Sequence, residues 1–187
     1  MPKCKGFTLV ELMVSIAVLA ILSGIVLPNF NQFIIRMRVD NEISELHRLL
    51  LLTRNLAINY EQNITLCPLD QSLKCTSQWH KKLSVFTDTN DNKTYEPTAG
   101  EEILKIKPEI TLGDRLLYGS GRDRVVFNPI GRLNGWGMNG TFRYCPKGSN
   151  GFARGIRVAV SGRLYMTSDT DNDGRDEVRR GSELSCS

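Results

Sequence analysis

Phe7 to Leu27 reads FTLVELMVSIAVLAILSGIVL. This run decides the front of the fold, because it is about as long as a bilayer-spanning helix, which needs ~20 apolar residues. Lys3 and Lys5 precede it, Glu11 is the one charge inside it, and no other charged residue follows until Arg36. The excess of basic residues before the run predicts a cytoplasmic N-terminus and an external remainder. A secretory signal peptide has a shorter core of ~7–15 residues and a small-residue cleavage site. Here the core is longer and no such site follows, so the run reads as an anchor for an external domain.

Outward from that run the chain is ordinary. It has 187 residues, room for one sizeable domain but not two. With 41% hydrophobic and 24% charged residues it is too polar for a polytopic membrane protein and too apolar for a disordered one. A net charge of +4 does not by itself imply nucleic acid, and five Cys with two His supply a multi-ligand zinc site poorly.

Glu11 departs from a plain anchor. A carboxylate inside an apolar span costs a few kcal/mol unless it is paired, so it marks a functional position. Its neighbours identify the context: Gly6-Phe7-Thr8-Leu9-Val10-Glu11 resembles the class III signal of type IV pilins and type II secretion pseudopilins. The resemblance implies that a membrane aspartyl peptidase cuts after Gly6 and that Phe7 becomes the N-methylated first residue. Glu11 would then stand fifth in the mature chain, and Pro28 falls where the family often has a helix-kinking proline. The new ammonium at Phe7 would give the Glu11 carboxylate a partner within the chain or on a neighbouring subunit. In an apolar medium that pairing would select register during assembly.

Beyond Pro28 the helical pattern continues. Phe30, Phe33, Ile34, Met37, Ile43, Leu46, Leu49, Leu50 and Leu56 recur at three- and four-residue steps, with Arg36, Arg38, Asp40, Glu42 and Glu45 on other faces. This predicts an amphipathic helix reaching about Tyr60 and laid against a domain. After Tyr60 the pattern changes to short β segments at 64–67, 83–86, 103–106, 124–127, 140–144, 155–160 and 164–166, separated by Gly, Asn, Asp and Pro clusters such as those at 88–92 and 134–137. The expected class is α+β: a long N-terminal helix packed on a small antiparallel β-sandwich, pilin-like domain.

The β region is similar to the GspH/FimT/FimU group of minor pilins and pseudopilins. The matching stretches are Leu66-Cys67-Pro68, Trp79 before Val85-Phe86-Thr87-Asp88, Phe127-Asn128-Pro129-Ile130-Gly131-Arg132, Asn139-Gly140-Thr141-Phe142, Arg154-Gly155-Ile156-Arg157-Val158 and Ser161-Gly162-Arg163. The organisation expected is a leader at 1–6, a transmembrane and filament-core helix at 7–28, an amphipathic helix at 29–60 and a periplasmic β domain at 61–187. Cys4 leaves with the leader, so Cys67, Cys75, Cys145 and Cys186 remain, an even number in an oxidising compartment. Four cysteines allow three pairings; Cys67–Cys75, a short local loop, and Cys145–Cys186, which ties down the tail, are favoured.

Two charged stretches carry further expectations. Asp169-Thr170-Asp171-Asn172-Asp173-Gly174 matches the first half of an EF-hand-type loop, in which oxygens at positions one, three and five converge on calcium. Arg180 stands at position twelve, where a Glu is usual, so a solvated turn is the alternative. Asp176 or Glu177 would substitute only in a different geometry. Between Arg115 and Arg163 there are nine Lys or Arg and one acid, Asp123, a bias that suits phosphate contacts. Arg154, Arg157 and Arg163 are the candidate DNA contacts. The Gly-Arg-x-Arg motif of DNA-binding members of the group here reads Gly162-Arg163-Leu164-Tyr165, with Tyr at the second Arg, so DNA binding is not the favoured expectation. No nucleophile triad or phosphate loop is present in the sequence, and no enzyme activity or obligatory cofactor is expected.

The function this implies is a minor type IV pilin that helps initiate pilus assembly and sits at the tip. Its expected partners are prepilin peptidase, other minor and major pilins and the assembly platform. It would be a single-pass inner-membrane protein with a periplasmic domain. A type II secretion minor pseudopilin and a DNA-binding competence pilin are the alternatives.

Overall fold

One helix, α1, runs from Leu9 to Tyr60. The computed structural model describes residues 6–135, 137–178 and 181–186. The first five leader residues with Cys4, the turn residue Trp136 and Arg180 of the acidic loop lie outside those. The chain divides into two compact units, Met1–Arg38 and Val39–Ser187, and α1 contributes to both.

Among the described residues of the first unit the helix shows no buried face. Leu9, Val10, Leu12, Met13, Val14, Ile16, Val18, Leu19, Ile21 and Leu22 are all at least half exposed. They occur at almost every step along the helix, so they surround it rather than forming a stripe. In the second unit the pattern resolves. Val39, Ile43, Leu46, Leu50, Thr53 and Ala57 follow steps of four and three residues and are buried, the spacing of a single helix face. The buried stripe therefore begins at Val39 and not at Phe30. Phe30, Phe33, Ile34 and Met37 are exposed. Periodicity marks an apolar face but not what covers it, which is why the sequence placed both stretches against one domain.

Ten strands follow among the described residues: β1 (Ile64–Pro68), β2 (Leu83–Thr87), β3 (Ile103–Lys107), β4 (Arg115–Tyr118), β5 (Val125–Phe127), β6 (Gly140–Cys145), β7 (Arg154–Val158), β8 (Leu164–Met166), β9 (Glu177–Val178) and β10 (Ser182–Glu183). They form a four-stranded sheet in the order β3-β2-β1-β5, a second in the order β4-β6-β7-β8, and a β9–β10 hairpin. Every named pairing is antiparallel; Leu66, for example, lies opposite both Val85 and Val125, and Phe142 lies opposite Ile156. Strands β4, β9 and β10 have no counterpart among the segments read from sequence. β4 is only four residues, and its signal is the alternation that buries Leu116 and Tyr118.

The helix packs on these sheets. Lys107 of β3, almost fully buried, donates to Glu42 at 2.7 Å and lies 3.4 Å from Glu45. From β7, Arg154 pairs with Asp40 at 2.5 Å. Ile64, Leu66 and Val85 of the first sheet and Phe142, Ile156 and Val158 of the second are fully buried. Trp79 stands edge-on to Tyr118 and Phe142, with centroids 5.4 and 4.9 Å away, and Tyr118 stacks on Phe142 at 4.1 Å. The Trp79 indole donates to the Arg122 carbonyl at 2.6 Å. Burial pushes the Tyr118 phenol up to about 12, and its hydroxyl donates to the Met138 carbonyl.

Two disulfides close the domain: Cys67–Cys75, which ties β1 to the following loop, and Cys145–Cys186, which ties β6 to the tail. Around the second, Cys145, Ala153, Leu184 and Cys186 form a small apolar cluster with Val178.

Candidate assembly segment and charged surfaces

The helix start is built by Thr8 and Glu11. Thr8 immediately precedes the first helical residue, and its main-chain carbonyl accepts the first helix bond from Leu12 N at 3.2 Å. Its Oγ1 accepts from Glu11 N at 3.3 Å, while Glu11 Oε2 accepts from Thr8 N and from the Thr8 hydroxyl, each at 2.9 Å. This is a reciprocal capping box, which satisfies main-chain donors that a helix start otherwise leaves unpaired. The Thr-x-x-Glu spacing was present in the sequence, but Glu11 was read only as an assembly residue. Both roles are compatible, because none of these bonds uses Oε1.

The peptide bond after Gly6 is open. A β-carbon on Gly6 would meet nothing within 4 Å, and Phe7 is 83% exposed. Along the apolar run the hydroxyls turn inward to the helix: Ser15 donates to the Glu11 carbonyl and Ser23 to the Leu19 carbonyl, both at 2.7 Å. Polar groups satisfied within their own helix are what a non-aqueous surrounding demands. Side chains on this helix are described up to Gly24 and again from Phe30, and among the described residues no helix is long and apolar enough to cross a membrane. The apolar run of the sequence continues past Gly24 to Leu27.

Two of the candidate DNA contacts, Arg154 and Arg157, lie on one strand, β7. Along β7, side chains alternate between faces, so Arg154 shares a face with Ile156 and Val158 while Arg157 points to the other. Arg154 is engaged with Asp40 of α1. Arg163 is exposed in the turn between β7 and β8. Other charges serve the fold: Arg115 donates to the Cys186 carbonyl at 2.6 Å, and Arg143 donates to the carbonyls of Ser185 at 3.0 Å and Gly119 at 3.2 Å. Arg115 and Arg143 thus hold the C-terminal tail against β4 and β6. The acidic loop lies between β8 and β9, and it gathers carboxylate oxygens of Asp169, Asp171, Asp173 and Glu177 within 4.8 Å of one another.

Known proteins resemble this arrangement. Over 132 residues the chain is 29% identical to the type IV major fimbrial protein FimA of Dichelobacter nodosus, covering 67% of this chain and 74% of that protein. Two crystal forms of the type IV minor pilin FimU of Pseudomonas aeruginosa superpose with TM-scores of 0.56 and 0.52, at 18% and 19% identity. They cover 71% and 69% of this chain and 90% and 92% of those structures, a likeness of fold. Residues 1–27 match the prokaryotic N-terminal methylation motif, and residues 42–162 match the model of the type II transport protein GspH. The chain belongs to the GspH family of type IV pilin-like proteins.

Proposed function

We propose that this chain is a minor type IV pilin, cut after Gly6 by prepilin peptidase, methylated at Phe7 and inserted with other pilins as an initiating, tip-located subunit of a pilus. The observation that carries this reading is the helix before Gly24, apolar and exposed on every side. Such a surface calls for a cover from outside the chain: lipid before assembly, and the helices of neighbouring subunits afterwards. The run from Phe7 to Leu27 supplies the membrane anchor, Lys3 and Lys5 keep the N-terminus cytoplasmic, and the disulfide-bonded domain stands in the periplasm. Glu11 uses one carboxylate oxygen for its own helix cap and offers the other to the new ammonium at Phe7. Its role is structural, and no catalysis is assigned to it.

The name of the matched family favours a second reading, a minor pseudopilin of type II secretion. It would use the same segment, and the phenotype of a deletion strain separates them: lost piliation for the first, retained exoproteins for the second. The test of the shared reading is the intact mass of protein extracted from membranes, expected to begin at methylated Phe7. A retained Met1, or a cut beyond Leu27, would overturn it. Glu11→Val is expected to leave the domain folded and to deplete the chain from filaments; normal incorporation would remove the pairing argument.

A further inference from the structure

The acidic loop holds an observation that a solvated turn does not explain. Glu177 is 6% exposed, and its Oε1 is buried without a hydrogen-bond partner. Its Oε2 is engaged, accepting from Thr170 N at 2.6 Å and from the Thr170 hydroxyl. A carboxylate oxygen removed from water and left unpaired is costly, and protein interiors rarely keep one without an ion or water to meet it. A Glu177 oxygen lies within 4.8 Å of those of Asp169, Asp171 and Asp173, so the buried group faces the cluster.

We propose that Asp169, Asp171, Asp173 and Glu177 form a calcium site, separate from the assembly segment and independent of the pilin reading. The donors are all hard oxygens, with no sulfur or imidazole, which selects calcium or magnesium over transition metals. Two oxygens that each sit ~2.4 Å from one calcium ion are at most ~4.8 Å apart, which is the span the four ligand atoms fit. Magnesium requires ~2.1 Å and near-octahedral geometry and keeps several waters, so a loop offering four carboxylates favours the larger ion. The Asp residues occupy positions one, three and five, followed by Gly174 with φ of +88°. Glu177 takes the place of the usual position-twelve Glu because the chain turns back early into β9: Glu177 N donates to the Ser168 carbonyl at 3.1 Å. Arg175, the nearest described cation in sequence, pairs with Glu183 at 2.7 Å.

The site would brace the C-terminal tail. Asp176, next to Glu177, accepts from the Thr167 hydroxyl at 2.6 Å through Oδ2 and from Leu184 N at 2.9 Å through its carbonyl. A cation at Glu177 therefore links the loop to the hairpin that carries Cys186.

The experiment uses the full chain in detergent, stripped with a chelator and titrated with calcium chloride by calorimetry, with thermal unfolding in parallel. One calcium per chain is expected, with a dissociation constant of about 10⁻⁴–10⁻³ M, the range of extracellular modules. A rise in unfolding midpoint of roughly 2–5 °C at about 5 mM calcium, reversed by chelator, should accompany it. Asp171→Ala, at an exposed position, should retain the fold and weaken binding at least about tenfold, as should Glu177→Gln, which keeps the size of the side chain. No calcium bound at about 5 mM free ion, or binding unaltered in both variants, would overturn the assignment.

Discussion

Gly162 sits against the main-chain carbonyl of Gly131, so closely that a β-carbon at position 162 would lie 1.9 Å from that oxygen. Gly162 has φ of +76° and closes the β7–β8 hairpin, its N–H donating to the Ala159 carbonyl at 2.8 Å. The same Gly131 carbonyl accepts from Arg54 Nε of α1 at 2.9 Å. Helix, β5 loop and hairpin thus meet at one oxygen.

Gly162→Ala should therefore cost more than its backbone conformation alone. A positive φ costs a non-glycine residue about 1–2 kcal/mol, and displacing a main-chain carbonyl adds to that. Gly100→Ala provides the comparison: φ is +84° there, with nothing within 4 Å of the added carbon. In urea unfolding of the full chain in detergent, Gly162→Ala should lose at least ~2 kcal/mol more than Gly100→Ala. Equal losses would show that the close approach carries no energy.

The contact also shows how far the sequence could be read. Gly131-Arg132 and Ser161-Gly162-Arg163 stood out as separate family-like stretches, yet only the fold shows that they are two sides of one contact. The helix and seven of the strands were legible because helical spacing gives way after Tyr60 to short β segments separated by Gly, Asn, Asp and Pro clusters. β4 was not read, although its alternation buries Leu116 and Tyr118. The faces of Arg154 and Arg157 follow from strand alternation once β7 is known, but their partners do not. Asp40, the partner of Arg154, lies more than a hundred residues away in sequence. Glu177 and Asp176 could not be told apart as substitute ligands, because which of them joins the acidic cluster depends on where β9 begins, while the Thr8–Glu11 box was legible and overlooked.

Lys107 is buried against Glu42 and Glu45, with a side chain only 3% exposed. Removing one partner of a buried pair strands the other, whereas removing both with apolar replacements is often neutral. Lys107→Met should lower stability by about 2–4 kcal/mol, discounted from a fully buried pair because Glu45 is 39% exposed. Adding Glu42→Leu should recover at least half of the loss. A double variant no more stable than the single one would show that the cost is packing, not a stranded carboxylate.

The two disulfides close loops of different length, 41 residues apart for Cys145–Cys186 and 8 for Cys67–Cys75. The chain-entropy relation gives about 4 and 2.6 kcal/mol as respective contributions. Arg115 and Arg143 already hold the tail by the Cys186 and Ser185 carbonyls, so Cys186→Ser should cost less than the full ~4 kcal/mol. Adding Arg115→Ala should then release the tail. Hydrogen exchange is expected to rise first at residues 182–186 in the double variant and to stay low in β1 and β2. Global loss of protection in Cys186→Ser alone would contradict this.

Asp88 is fully buried, accepting from the Thr65 hydroxyl at 3.3 Å through Oδ2 and from Asn92 N at 3.1 Å through Oδ1. Burial raises its pKa above the ordinary carboxylate value, and the neighbouring Asp91 charge acts in the same direction. Glu101, also buried, is raised chiefly by burial and further by Asp88. A carboxyl with a raised folded-state pKa binds its proton more tightly in the folded than in the unfolded chain. Its contribution is therefore fully present below the unfolded value, about 3.9 for Asp, and is lost as pH rises through the folded value. Asp88→Asn removes that titration and retains an oxygen for the Asn92 N–H. The stability of Asp88→Asn relative to the parent chain should thus increase between about pH 4 and pH 7. Urea unfolding at those two pH values measures it. A difference that stays constant, or shrinks toward neutrality, would mean that the bonds from Thr65 and Asn92 outweigh the burial of the charge.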